Sequence, residues 1–209
     1  MAHGHPKVVL FDLLTALLDS WTLWNQAAGS EEAGRRWRAK YLQLTYQCGT
    51  YQPYEDLVQQ ASDAVGLPRS APETLLARWD ELKPWPEAPG VLRKLQSQAV
   101  KIGVVTNCST ELGRRAAATC GVTFDVVVTA EEIGFYKPRI ETYTAALRVL
   151  GVEAGDVLFV AGSSADVPGA SAAGMQVVWH NRVQLAPLPG TTSPLREGRT
   201  LEEALQDFI

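Results

Sequence analysis

Long apolar runs are missing from this chain, and so is any block of basic residues. No stretch approaches the roughly 18 apolar residues that a membrane-spanning helix needs, and "MAHGHPK" offers no signal-peptide core. Neither a membrane partner nor export is expected. Lysine and arginine total 19 against 23 acidic residues, a net charge of −4. That balance argues against a nucleic-acid partner and leaves any anion pocket to be built locally. Cysteine is scarce: Cys48, Cys108 and Cys120 are odd in number, far apart and without metal-ligand spacing, which fits a reducing cytoplasm. His3 and His5 form an H-x-H near the start and His180 stands alone, so no histidine cluster suggests a metal. A P-loop and a dinucleotide glycine fingerprint are also absent, and "GASAAG" (169–174) falls short of G-x-S-x-G.

What is present has the balance of a soluble globular enzyme: 46% apolar and 20% charged residues over 209 positions. That length holds one sizeable domain, or one domain carrying a smaller insertion. "KVVLF" (7–11), "VKIGVVT" (100–106) and "DVLFVAG" (156–162) are β-branched and aromatic without polar alternation, as strands covered on both faces are. "FDVVVT" (124–129) and "MQVVWH" (175–180) read as further strands. Between them lie helical segments, with Ser109 placed as an N-cap and Gly121 and Gly151 as helix stops. The alternation implies an α/β fold, a doubly wound, Rossmann-like parallel sheet. Residues 19–85 differ: they lack a strong strand, are rich in tryptophan (Trp21, Trp24, Trp37, Trp79) and read as several helices. The expected organisation is a core of residues 1–18 and 86–209 with a helical cap over 19–85. The Pro/Gly-rich stretch "LAPLPGTTSPLREG" reads as loop before a last short helix.

Ligands of such sheets sit at the carboxyl ends of the strands. That rule selects Asp12 after the first strand, Thr106 and Asn107 after the second, Lys137 in the loop beyond "VVVT", and Ser163 to Asp166 after "DVLFVAG". Two carboxylates and a lysine brought to one crevice suit nucleophilic catalysis. One carboxylate is held ionised by the ammonium, and the other positions or deprotonates water.

In order, "VVLFD", "VVTN", "YKP" and "VAGSSAD" resemble the motifs of the haloacid dehalogenase superfamily, over almost the whole chain. Phosphatase members carry D-x-D in the first motif and an acid opening the last. Here those positions are Leu14 and Gly162, which removes the proton donor and part of the Mg²⁺ site. The resemblance is therefore to the metal-free (S)-2-haloacid dehalogenase branch. It implies no cofactor, no metal ligand, and a small-molecule carboxylate as substrate; a homodimer is compatible with it. "WRAKYL" resembles the cap motif whose arginine accepts the leaving halide, which puts Arg38 in that role. "KPRIETY" places Tyr143 beside the site with Lys137.

The resemblance implies Asp12, Arg38, Asn107, Lys137 and Asp166 as catalytic residues. Leu13, Leu14, Thr106, Tyr143 and Ser163 would meet the substrate. Asp12 would displace halide from a short (S)-2-haloalkanoic acid by SN2 attack, and water would then hydrolyse the resulting ester. This chain departs from D-x-x-G-T-L, having Thr15 one place early and Ala16 in its stead, and Ala161 and Ser163 replace a Ser and an Asn of the last loop. Two alternatives stand beside this reading: hydrolysis of another small substrate such as a phosphoester, and a binding protein that kept the scaffold without turnover. Plainer roles also compete at single residues: a solvated basic face for Arg38 beside Arg35 and Arg36, helix packing for Tyr143, an N-cap for Asp166, and packing for Cys108 and the tryptophans.

Overall fold

Each of the β-branched runs becomes a strand in the computed structural model, which describes residues 6–209; the His3-x-His5 pair lies outside the described residues. The strands are β1 (Val8–Asp12), β2 (Lys101–Thr106), β3 (Val126–Thr129), β4 (Val157–Ala161), β5 (Gln176–His180) and β6 (Arg196–Gly198). All neighbours pair in parallel, in the order β3-β2-β1-β4-β5-β6. Successive side chains of a strand point to opposite faces. Accordingly Val9 and Phe11 join one apolar cluster while Val8 and Leu10 join another on the far face. Burial on both faces explains why β1 shows no polar alternation. The chain winds outward from β1 through β2 and β3, then returns to β4 on the other side. Asp12 and the loop after β4 therefore flank the point where the strand order reverses.

β6 was not expected, because its three residues, Arg196-Glu197-Gly198, lie in the Pro/Gly-rich stretch and have no apolar pattern. It is an edge strand paired with β5 through Val178 and Arg196, and side chains help to hold it: Asn181 Nδ2 donates to Glu197 Oε1 at 2.7 Å and Arg196 Nη1 to Gln206 Oε1 at 2.9 Å.

The helices α1 (Ser20–Ala28), α2 (Glu31–Gln47), α3 (Tyr54–Ala64) and α4 (Ser70–Ala77), with a 3-10 turn at Trp79–Glu81, fill the interval between β1 and β2. No strand occurs there among the described residues. The excursion leaves and returns at one place: the Asp19 N–H donates to Lys83 O at 2.8 Å and the Trp85 N–H to Leu17 O at 2.9 Å. Trp24, Trp37, Tyr41, Tyr54 and Trp79 pack ring against ring inside it, with centroids 4.6 to 5.7 Å apart. Direct hydrogen bonds fasten it over the sheet's carboxyl edge, from Tyr41 OH to Asn107 O and from Trp79 Nε1 to Leu112 O, both 2.9 Å.

Beyond β1 the core helices are α5 (Ala88–Ser97), α6 (Thr110–Ala118), α7 (Ala130–Ile133), α8 (Ile140–Leu150), α9 (Asp166–Ala172) and α10 (Leu201–Ala204). Gly151 ends α8 in the left-handed region, as its sequence position suggests. Ser109 is the N-cap residue of α6, as expected, though its side chain makes no capping bond. Its hydroxyl donates to Glu55 Oε1 at 2.7 Å, and Glu131 takes the Thr110 N–H instead. None of the helices among the described residues is long and apolar enough to cross a membrane.

Candidate active site

Where β1 ends, the chain enters a single π-helical turn, Leu13–Leu17, closed by Leu18 N–H to Leu13 O at 3.0 Å. Asp12 caps that turn. Its Oδ2 accepts the Thr15 N–H at 2.8 Å, the Ala16 N–H at 3.1 Å and the Thr15 hydroxyl at 2.5 Å. The wide turn thus brings the hydroxyl at the third position after Asp12 onto its carboxylate. Two supports come from far along the chain: His180 Nδ1 sits 2.7 Å from Ala16 O, and Trp85 Nε1 donates to Thr15 O at 3.0 Å. Since a carbonyl can only accept, His180 carries its proton on Nδ1. Burial lowers its pKa and keeps the ring neutral. His180, which stands apart from the other histidines in the sequence, is a brace for the turn.

The other oxygen, Asp12 Oδ1, accepts from Lys137 Nζ at 2.7 Å. The same ammonium lies 3.2 Å from Asp166 Oδ1, so it bridges both carboxylates. Asp166 is fixed in turn by the Tyr143 hydroxyl on Oδ1 at 2.9 Å and the Ser163 hydroxyl on Oδ2 at 3.1 Å. It does not cap α9 with its side chain. Lys137 is placed by Asn107, whose Oδ1 accepts the Lys137 N–H at 2.7 Å while Nδ2 donates to Lys137 O at 3.2 Å. One Asn107 N–H remains for another partner.

These charges are out of bulk water: Asp12 is 6% exposed, Lys137 4% and Asp166 1%. Burial opposes ionisation of Asp12, but the Lys137 ammonium and the Thr15 donors outweigh it and hold the carboxyl below its ordinary value. At Asp166 burial wins, helped by the charge on Asp12 and against Lys137, and the carboxyl lies above its ordinary value. Burial alone would discharge Lys137, yet its two carboxylate neighbours raise its pKa and keep it charged. Two carboxylates pushed in opposite directions are suited to different tasks, one as an ionised nucleophile and the other as a proton acceptor.

Arg38, on α2, is 5% exposed, while Arg35 and Arg36 face outward. The basic-face reading therefore fails for Arg38. Its Nη1 donates to Ser20 Oγ at 2.7 Å, its Cζ lies 4.2 Å from the centre of the Trp21 ring, and no carboxylate pairs with it among the described residues. A buried guanidinium with no carboxylate paired to it is suited to accept an anion. Arg38, Asp12, Lys137, Asp166, Asn107, Leu14 and Ser163 line one cavity of about 40 Å³. Leu13, Thr106 and Tyr143 are not in its lining. Tyr143 touches Asp166 instead, and the Thr106 hydroxyl points to Cys108 Sγ at 3.4 Å. Burial pushes the Cys108 thiol up to about 12, so it is a packing group. Trp21, Tyr41, Leu42, Tyr46 and Leu185 also line the cavity, and sequence reasoning singled out none of them for it. Of the tryptophans Trp21 alone lines it; the other five are buried.

The donor set does not fit a divalent cation. Leu14 offers no oxygen from its side chain, the Lys137 ammonium already lies between the two carboxylates, and Gly162 has no room for an acid. A Cβ at Gly162 would collide with the Thr15 hydroxyl and come within 2.5 Å of both Ala16 N and Asp12 Oδ2. The glycine and the early threonine are thus one adjustment: Thr15 Oγ1 takes the space that a side chain at 162 would need.

The family model for haloacid dehalogenase-like hydrolases matches residues 7–174. The (S)-2-haloacid dehalogenase of Pseudomonas sp. (strain YL) is 27% identical over 192 residues, covering 84% of this chain and 83% of that protein. Haloacetate dehalogenase H-2 of Moraxella sp. (strain B) is 28% identical over 177 residues, covering 77% of this chain and 79% of that protein. A solved L-2-haloacid dehalogenase superposes with a TM-score of 0.86 at 26% identity, over 98% of this chain and 99% of that one.

Proposed function

The chain belongs to the haloacid dehalogenase-like hydrolases, and from that premise we propose that it hydrolyses the carbon–halogen bond of (S)-2-haloalkanoic acids through an ester on Asp12, without a metal. Residues 19–85 act as a helical cap over the site. The observation that carries the reading is the unpaired, buried Arg38 in the same cavity as an ionised Asp12 that has no second acid at Leu14. A departing halide needs a cation and no proton, whereas the leaving group of a phosphoester needs the acid that is missing.

Asp12 Oδ1, held by Lys137 alone, attacks the carbon bearing the halogen. A carbon–oxygen bond forms, the carbon inverts, and halide leaves with the bonding pair toward Arg38 and the free N–H of Asn107. The substrate carboxylate lies at the Leu14 end of the cavity. In the ester Oδ2 is the carbonyl oxygen, and it already receives the Thr15 N–H, the Ala16 N–H and the Thr15 hydroxyl. Asp166 takes a proton from water, the hydroxide adds to Cγ of Asp12, and negative charge develops on Oδ2 where those three donors point. Collapse expels the alkoxide, which takes the proton held by Asp166 and leaves as the 2-hydroxy acid, and the Asp12 carboxyl loses its own proton to solvent to return as carboxylate. The sum is haloacid plus water to hydroxy acid, halide and a proton.

Single turnover in ¹⁸O water, with chelator present, tests the route. Label is expected in the carboxylate of Asp12, read by the mass of its peptide. Label passing only to the product in the first turnover would mean that water attacks the substrate directly.

The acid limb of the pH profile follows from the raised Asp166. Water activation requires the carboxylate form, so kcat falls as pH drops through the Asp166 pKa, above the ordinary 3.8. A one-proton limb centred below that ordinary value would assign control to Asp12 instead.

A further inference from the structure

The cavity beside Asp12, about 40 Å³, is walled by Asp12, Arg38, Asn107 and Lys137, the groups that would meet the carboxylate, the attacked carbon and the halogen. A second compartment of about 230 Å³ opens from it toward the surface. Trp21, Leu42, Tyr46 and Leu185 wall both spaces together with Ser163, and the outer one adds Ala39, Ala186 and Ser164. The guanidinium at its rim, Arg35, is committed to Glu31 at 2.8 Å, so the outer walls are chiefly apolar.

SN2 attack fixes what can enter it. Nucleophile and halogen lie on one line, and the three remaining substituents of the carbon spread perpendicular to that line. The hydrogen fills no space, the carboxylate needs donors, and the chain is the group that gains by leaving water for apolar walls. We propose that the outer compartment binds the C2 substituent of the substrate, so that the preferred haloacids carry a propyl or butyl chain rather than a methyl group. This inference rests on the dehalogenase reading and names the members of that substrate class that the site takes best.

Full burial of a methylene is worth about fourfold in an equilibrium constant, and half-open walls give about twofold. From (S)-2-bromopropionate to (S)-2-bromohexanoate, kcat/KM measured by halide release is therefore expected to rise about tenfold. Ala39 is exposed on α2, so Ala39→Trp fills the compartment without disturbing the core. It is expected to bring the hexanoate-to-propionate ratio back toward one. A flat or falling series in the wild-type enzyme overturns the inference, whatever the variant does, and so does an unchanged ratio in a folded Ala39→Trp. Halide release with a flat series leaves the dehalogenase reading standing, whereas silence across every chain length sinks both.

Discussion

Asp12→Asn is expected to release no halide above background and to acquire no added mass when incubated with a 2-haloacid. The loss should be on the order of 10⁴- to 10⁶-fold, the scale seen when a covalent nucleophile is removed. An amide oxygen is a poor nucleophile toward saturated carbon because no negative charge drives the displacement. The fold should survive the change. The asparagine oxygen still accepts from the Thr15 and Ala16 N–H groups that Asp12 Oδ2 now receives, so the π-helical turn stays capped. Lys137 keeps Asp166 as its counter-charge at 3.2 Å, so no buried ammonium is left alone. Retained thermal unfolding with lost halide release separates chemistry from stability. A folded Asp12→Asn that still turned over would move the nucleophile elsewhere.

Much of this site could be read from the chain before any coordinates. Five strands are apolar enough to be recognised, and the rule that ligands gather at their carboxyl ends selects Asp12, Asn107, Lys137 and Asp166. What escaped depends on local geometry that residue types do not encode. Thr15 looked misplaced because an ordinary spacing puts the useful hydroxyl four places after the nucleophile. A π-helical turn brings the third position to Asp12 instead, and Gly162 leaves the space for it. That contact removes the motive for treating the chain as a scaffold without turnover. Asn107 was read as a catalytic residue, and most of its amide is spent on the backbone of Lys137, which leaves one N–H for the site. Tyr143 acts at one remove through Asp166. Trp21 and Tyr46 were invisible because a helical aromatic facing a cavity has the same spacing as one facing a core.

Asp166→Asn should separate the two halves of the reaction. Ester formation needs an ionised Asp12, a charged Lys137 and an acceptor for halide, and all three survive the substitution. Removing Asp166 also takes away the charge that discourages ionisation of its neighbour, so Lys137 is left wholly to Asp12. Ester hydrolysis needs a base for water, and general bases are worth about 10²- to 10⁴-fold. The expected result is a burst of one equivalent of halide per enzyme followed by a rate reduced by that factor. The Asp12 peptide should gain the mass of the substrate less hydrogen halide, that is, the carboxyalkyl group in place of hydrogen. Tyr143 and Ser163 can still donate to the amide oxygen, so the loop after β4 should hold its place. A variant that loses halide release and adduct together would place Asp166 in the displacement step. One that turns over at the wild-type rate would pass the water's proton to another group.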